Sequence, residues 1–168
     1  MQPEDETVLE QIRAAFPSFE ISSDDAFTSW GRTYLDGDEY RAALKGKHWD
    51  QLDTTYIALR SDALGFLSTR TLVAVLPAYL IALIEHGTAS QVPGMLTLVL
   101  APPNRETDDG LGKKRFGEFI EAMTGPQRAA VAAALLRFGE RYPGTLVGDA
   151  ARAAFDGHWK AYMSGADA

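Results

Sequence analysis

Apolar residues recur along this chain at helical spacing, in blocks separated by short breaks rich in Gly, Pro and Ser. That periodicity turns one face of each block inward. Over residues 4–16, Val8, Ile12 and Phe16 stand at i, i+4 and i+8 beside Leu9, with Pro17 just beyond. Acids occupy the first turn of this block, where the helix dipole favours them. Ser22 or Ser23 is placed to cap a second helix with the stripe Phe27, Trp30 and Tyr34, ending near Asp36-Gly37. Asp38 then caps a short third helix carrying Tyr40, Ala43 and Leu44, stopped by Gly46. Trp49 and Leu52 fit a single turn. Tyr56 to Leu59 reads as a connection or helical turn, because a lone strand would leave its backbone donors unsatisfied.

The centre of the chain is more apolar. Ser61 caps a turn bearing Leu64, Phe66 and Leu67, and Ser68 or Thr69 opens a helix over 69–86 that is apolar nearly all round. Such a helix is buried on most sides. Pro77 in its interior cannot donate to the Val73 carbonyl and crowds it, so a kink is expected. Met95 to Leu100 is read as a short helix capped by Ser90, and 101–112 as an exposed loop. Arg115 to Met123 follows, and then Thr124-Gly125-Pro126-Gln127 has the spacing of a capping box. Val131, Leu135, Phe138 and Tyr142 form the next stripe, closed by Pro143-Gly144. Asp149 is placed to cap a last helix with Phe155, Trp159 and Tyr162, ahead of a small polar tail. The expected architecture is all-α: one domain over 1–168, an irregular bundle of about seven helices around the Pro-kinked helix 69–86.

Charge changes this picture. Residues 1–62 hold 13 acidic and 6 basic side chains, whereas 63–168 hold 10 of each, so the net charge of −7 belongs to the first segment. A field of that sign disfavours nucleic acid and anionic lipid and speeds encounter with a basic protein. No cysteine is present, which removes disulfides and thiol chemistry and fits a reducing compartment. The start of the chain is acidic rather than basic-then-apolar, and the run Leu72 to Ile84 is interrupted by Pro77. These features point to a cytoplasmic, soluble protein with neither a signal nor a membrane span.

Candidate chemistry is sparse. His48, His86 and His158 have no second histidine at metal-ligand spacing, so neither a metal site nor a cofactor is expected. Asp36-Gly37-Asp38-Glu39 lacks the Asp or Asn and the Gly that a calcium loop needs, because Tyr40 and Arg41 stand there. The chain has no P-loop and no GxSxG elbow, and no catalytic residue is assigned. The glycine-rich run Gly110-Leu111-Gly112 leading into Lys113, Lys114 and Arg115 is a candidate anion site. Tyr79, Trp49 and His48 are candidate lining for a pocket at the Pro77 kink.

Ser61-Asp62-Ala63-Leu64-Gly65-Phe66-Leu67-Ser68, followed by Leu76-Pro77-Ala78-Tyr79-Leu80, resembles the hallmark of a family of uncharacterised small bacterial proteins. That hallmark is an AL-x-FL-(S/T) turn and then an LPAYL helix. The Tyr40–Trp49 stretch and the helix opened by Thr124 are similar too, so the likeness spans most of the chain. It implies a helical fold and brings no catalytic residues.

Three functional readings follow. The first is a non-enzymatic binding protein of immunity or antitoxin type, meeting a basic protein partner through Asp24, Asp25, Asp36, Asp38 and Glu39. The second is a small-molecule binder or enzyme using the Pro77 pocket. The third is a structural subunit of a homo-oligomer.

Overall fold

A computed structural model describes residues 2–18, 20–21, 37–103 and 111–164 of the 168-residue chain. Within them lie eight α-helices and no β-strand: α1 (Pro3–Ala15), α2 (Gly37–Leu44), α3 (Thr54–Leu59), α4 (Thr69–His86), α5 (Val92–Leu100), α6 (Leu111–Glu121), α7 (Gly125–Arg141) and α8 (Leu146–Gly157). Short 3-10 turns stand at Trp49–Gln51, Ser61–Phe66, Gly87–Ala89 and Trp159–Ser164. The protein is all-α, with eight helices among the described residues where about seven were expected for the whole chain. The expected second helix, with Phe27, Trp30 and Tyr34, lies outside the described residues.

Several ends obey the rules read from the sequence. Ser68 caps α4 by accepting from the Thr71 amide, and Thr124 and Gln127 close a reciprocal capping box on α7. Other caps are displaced. α2 already starts at Gly37, so Asp38 is a first-turn residue, bonded to Arg41. α8 is capped by Thr145, four positions ahead of Asp149, which instead accepts the Gly144 amide. Trp159 and Tyr162 sit on the 3-10 turn after α8, because the helix ends at Gly157. The cap of α5 is Gln91 rather than Ser90, since Pro93 fits only a first turn. Arg60, not Ser61, precedes the 3-10 turn at Ser61–Phe66, and Ser61 is buried there. The expected loop 101–112 is shorter at its far end, because Leu111 and Gly112 already belong to α6.

Asp53, which accepts from the Thr55 and Tyr56 amides, makes a helix of Thr54–Leu59 where only a turn or connection was expected. α4 stays helical through Pro77, and every residue from Thr71 to Ile84 is buried. It is long and apolar enough to cross a membrane, yet 78% of the apolar window is buried inside the protein. α1, α3, α5, α6 and α7 pack around it. The buried apolar side chains form one cluster, which includes Ala63, Leu64, Leu67 and the Leu76–Leu80 run.

Two polar ties lie within this apolar packing. The Asp5 carboxylate, fully buried in the first turn of α1, receives Arg137 Nε at 2.7 Å and Arg141 Nη1 at 3.2 Å from α7. Arg137 also donates to the Gln2 side chain, and Arg141 to the Ile84 carbonyl of α4. On another part of α4, the Tyr79 hydroxyl donates to the Arg60 carbonyl at 3.1 Å and lies 2.6 Å from the Tyr40 hydroxyl of α2. Since Tyr79 has one proton to give and the carbonyl takes it, Tyr40 is the donor of the second bond.

Candidate functional site

Phe16 ends α1, and Pro17 prevents the helix from continuing. The chain turns away, and the Ile21 amide donates to the Lys47 carbonyl while the Gly46 amide donates to the Ile21 carbonyl. These bonds bring the stretch after α2 beside the end of α1. Trp49 follows on its 3-10 turn, and its indole nitrogen donates to the Phe16 carbonyl at 3.0 Å. The ring is thereby fixed between the end of α1 and the middle of α4.

A groove of about 630 Å³ opens at this junction. Phe16, Trp49, Leu52, Ala78 and Ile81 supply apolar surface, and Arg13, Asp50 and Glu85 supply the charge. Asp50 accepts a hydrogen bond from Ser18 at 3.0 Å. Arg13 faces Glu6 at a loose 3.9 Å. Among the described residues neither Asp50 nor Glu85 has a cationic side chain within ion-pair distance. Two carboxylates against one guanidinium leave the rim with an excess of negative charge over an aromatic floor.

The residues singled out in the sequence separate. Trp49 lines the groove, next to Ala78. Tyr79 is turned to the Tyr40 and Arg60 tie, and its hydroxyl is held well above its ordinary range, first by burial and then by Tyr40 and Asp62. Pro77 is buried within α4, and His48 precedes the Trp49 turn with its Nδ1 buried and without a hydrogen-bond partner. Neither is in the groove lining. Asp38 and Glu39 are exposed at the start of α2, where Asp38 meets Arg41 at 2.6 Å and Glu39 meets Arg60 at 3.1 Å. Asp24, Asp25 and Asp36 lie outside the described residues. Tyr40 is fully buried, so it belongs to the core and not to a surface.

The three cations at the start of α6 diverge as well. Lys113 and Lys114 are exposed, and Lys114 lies 3.9 Å from Glu118. Arg115 points inward, where its two terminal nitrogens donate to the Gly65 and Leu67 carbonyls, each at 2.6 Å. His158 packs edge-on against Phe116 and Trp159, and burial lowers its pKa below the ordinary value. His86 closes α4, with Nε2 buried and unbonded. Among the described residues no three His, Asp or Glu side chains converge as a metal site requires.

Asp50 and Glu85 were not singled out from the sequence, and no local signal marks them. They line one groove because the Trp49 turn packs on α4, a contact between segments far apart in the chain. No protein-family model, curated protein or solved structure matches this chain.

Proposed function

We propose that this is a non-enzymatic binding protein that receives a basic segment of a partner protein in the Trp49 groove. One observation carries the reading: a groove of about 630 Å³ whose apolar floor is rimmed by two carboxylates without cationic partners among the described residues. Its volume falls within the roughly 300–1,000 Å³ of ordinary ligand pockets. A lysine or arginine on a partner suits such a site, laying its aliphatic stem on Trp49 while its head reaches Asp50 or Glu85. The net charge of −7 then steers approach from a distance, and the groove holds what arrives. An immunity- or antitoxin-type protein masking a cationic toxin domain is the specific form of this proposal.

The test uses the full chain and two peptides of equal length and apolar content, one rich in Lys and Arg and one rich in Glu. Calorimetry should show binding of the basic peptide alone, weakening as salt is raised. Reversing both rim charges, Asp50→Lys with Glu85→Lys, should weaken it by roughly tenfold or more, as expected when two attractive pairs become repulsive. Equal binding of both peptides, or an unchanged affinity in the double variant, would overturn the proposal.

A further inference from the structure

A second cavity, of about 200 Å³, lies beside the first turns of α6. Gly112, Arg115, Phe116 and Phe119 line one side of it. These positions are spaced at i, i+3, i+4 and i+7 and so share one helical face. Leu72 of α4 and Leu98, Val99, Ala101 and Pro103 at the end of α5 complete the wall. Every lining side chain is apolar or glycine except Arg115.

Arg115 is an unusual lining residue. A guanidinium carries five N–H donors, and its two terminal nitrogens each spend one on the Gly65 and Leu67 carbonyls. Three donors are left: Nε–H and one on each terminal nitrogen. Its positive charge has no carboxylate partner among the described residues. Burial alone pulls its pKa below the ordinary value, so the cation sits where water screens it incompletely. Such a group gains from an anion more than a surface lysine does. The donors that remain, Nε–H and the second proton of each terminal nitrogen, suit a carboxylate.

We infer that this cavity binds a small carboxylic acid with an apolar body, its carboxylate on Arg115 and its ring or branched chain against Phe116, Phe119 and Leu72. The class follows from size as well as charge. At the ~30 Å³ a water molecule occupies, the cavity has the volume of about seven waters, enough for a benzoate-sized acid. A phosphate would leave the apolar wall uncovered, so the three-cation anion site expected at 113–115 becomes a one-cation site for an amphipathic acid. This site is separate from the Trp49 groove and stands or falls independently of it.

The experiment compares benzoate with benzamide, which has the same shape without the charge, by chemical-shift perturbation of the isotope-labelled chain. Benzoate should shift the amides of residues 98–101 and 112–119 with a Kd near 1 mM or below, and benzamide should bind roughly tenfold more weakly. Arg115 also ties α6 to the Ser61–Phe66 turn, so Arg115→Gln alone would mix binding with folding. Leu98→Glu avoids this, because Leu98 is 69% exposed and leaves the Arg115 bonds in place. That variant should stay folded and lose at least tenfold in benzoate affinity, through repulsion at the mouth. Equal affinity for benzoate and benzamide would reduce Arg115 to a structural clamp and overturn the assignment. So would unchanged benzoate affinity in Leu98→Glu, or no binding of benzoate up to about 10 mM.

Discussion

At the scale of single residues, the informative groups are polar ones placed where the apolar pattern predicted only core. Tyr79 lies within the apolar run Leu72 to Ile84, and its ring is fully buried. Its hydroxyl joins α4 to the Arg60 carbonyl and to Tyr40 of α2. Tyr79→Phe keeps the ring and deletes both bonds, and should cost about 1–3 kcal/mol, the range for a buried group that loses its partner. Urea unfolding of the two proteins measures it. The hydroxyl also makes a pH prediction. Its pKa in the fold is raised well above the ordinary 10.0, chiefly by burial, so the fold favours the protonated form. The stability this contributes is complete below pH 10.0 and is lost as pH rises from there towards the folded value. The Tyr79→Phe protein should therefore lose less stability than the parent between neutral pH and pH 11. Parallel losses in the two proteins would show that Tyr79 ionises freely.

At the scale of elements, the long helices were legible, the short α3 was read only as a connection or turn, and helix ends were legible in part. The stripes of α1, α4 and α7 follow from spacing alone, because an amphipathic or all-apolar period needs no knowledge of the partner. Caps depend on local competition. At α8 both Thr145 and Asp149 are suitable residues, and the chain uses the first as cap and the second to hold the Gly144 amide. Gly87 shows what spacing hides. It ends α4 at φ +55°, and a Cβ there would overlap the Tyr142 hydroxyl at the end of α7. The sequence ends this helix at residue 86 and says nothing of α7. Gly144 also has positive φ, at +73°, but a Cβ there meets nothing within 4 Å. Gly144→Ala should therefore cost only the backbone penalty, about 1–2 kcal/mol. Gly87→Ala should cost more, because Gly87 sits at ψ −136°, outside the left-handed helical region, and because a Cβ adds about 1–3 kcal/mol of overpacking against Tyr142. Thermal melts measure the difference, and a melting temperature for Gly87→Ala at or above that of Gly144→Ala would overturn this ordering.

At the scale of the whole molecule, the ties that close the fold join residues far apart in sequence, which is why no local pattern revealed them. Asp5 was legible only as one of several first-turn acids suited to the dipole of α1. In the fold it is fully buried, and Arg137 and Arg141 reach it from α7, so the first helix is fixed to the seventh. The Trp49 groove was half legible for the same reason. An aromatic beside the Pro77 region could be read locally, whereas bringing Asp50 and Glu85 to one groove needed the packing of two distant segments. Asp5→Asn would leave two arginines facing a neutral amide. Breaking a buried pair costs about 3–5 kcal/mol, and the low end applies here because Arg137 retains Gln2 and Glu4 nearby and Arg141 retains the Ile84 carbonyl. The sign with pH is definite. Burial raises the Asp5 pKa, but the Arg137 hydrogen bond, the Gln2 amide and the charges of Arg137 and Arg141 outweigh it, and the pKa falls below the ordinary 3.8. A lowered pKa in the fold means that the ion pair stabilises fully above 3.8 and is lost as pH falls through the folded value. The stability gap between the parent and Asp5→Asn should thus be constant near neutral pH and narrow only below pH 3.8. Denaturant titrations at a series of pH values trace that gap. If it closed already between pH 5 and 7, Asp5 would not be the ionised anchor of α1, and the attachment of the first helix would rest on Leu9, Ile12 and Phe16 alone.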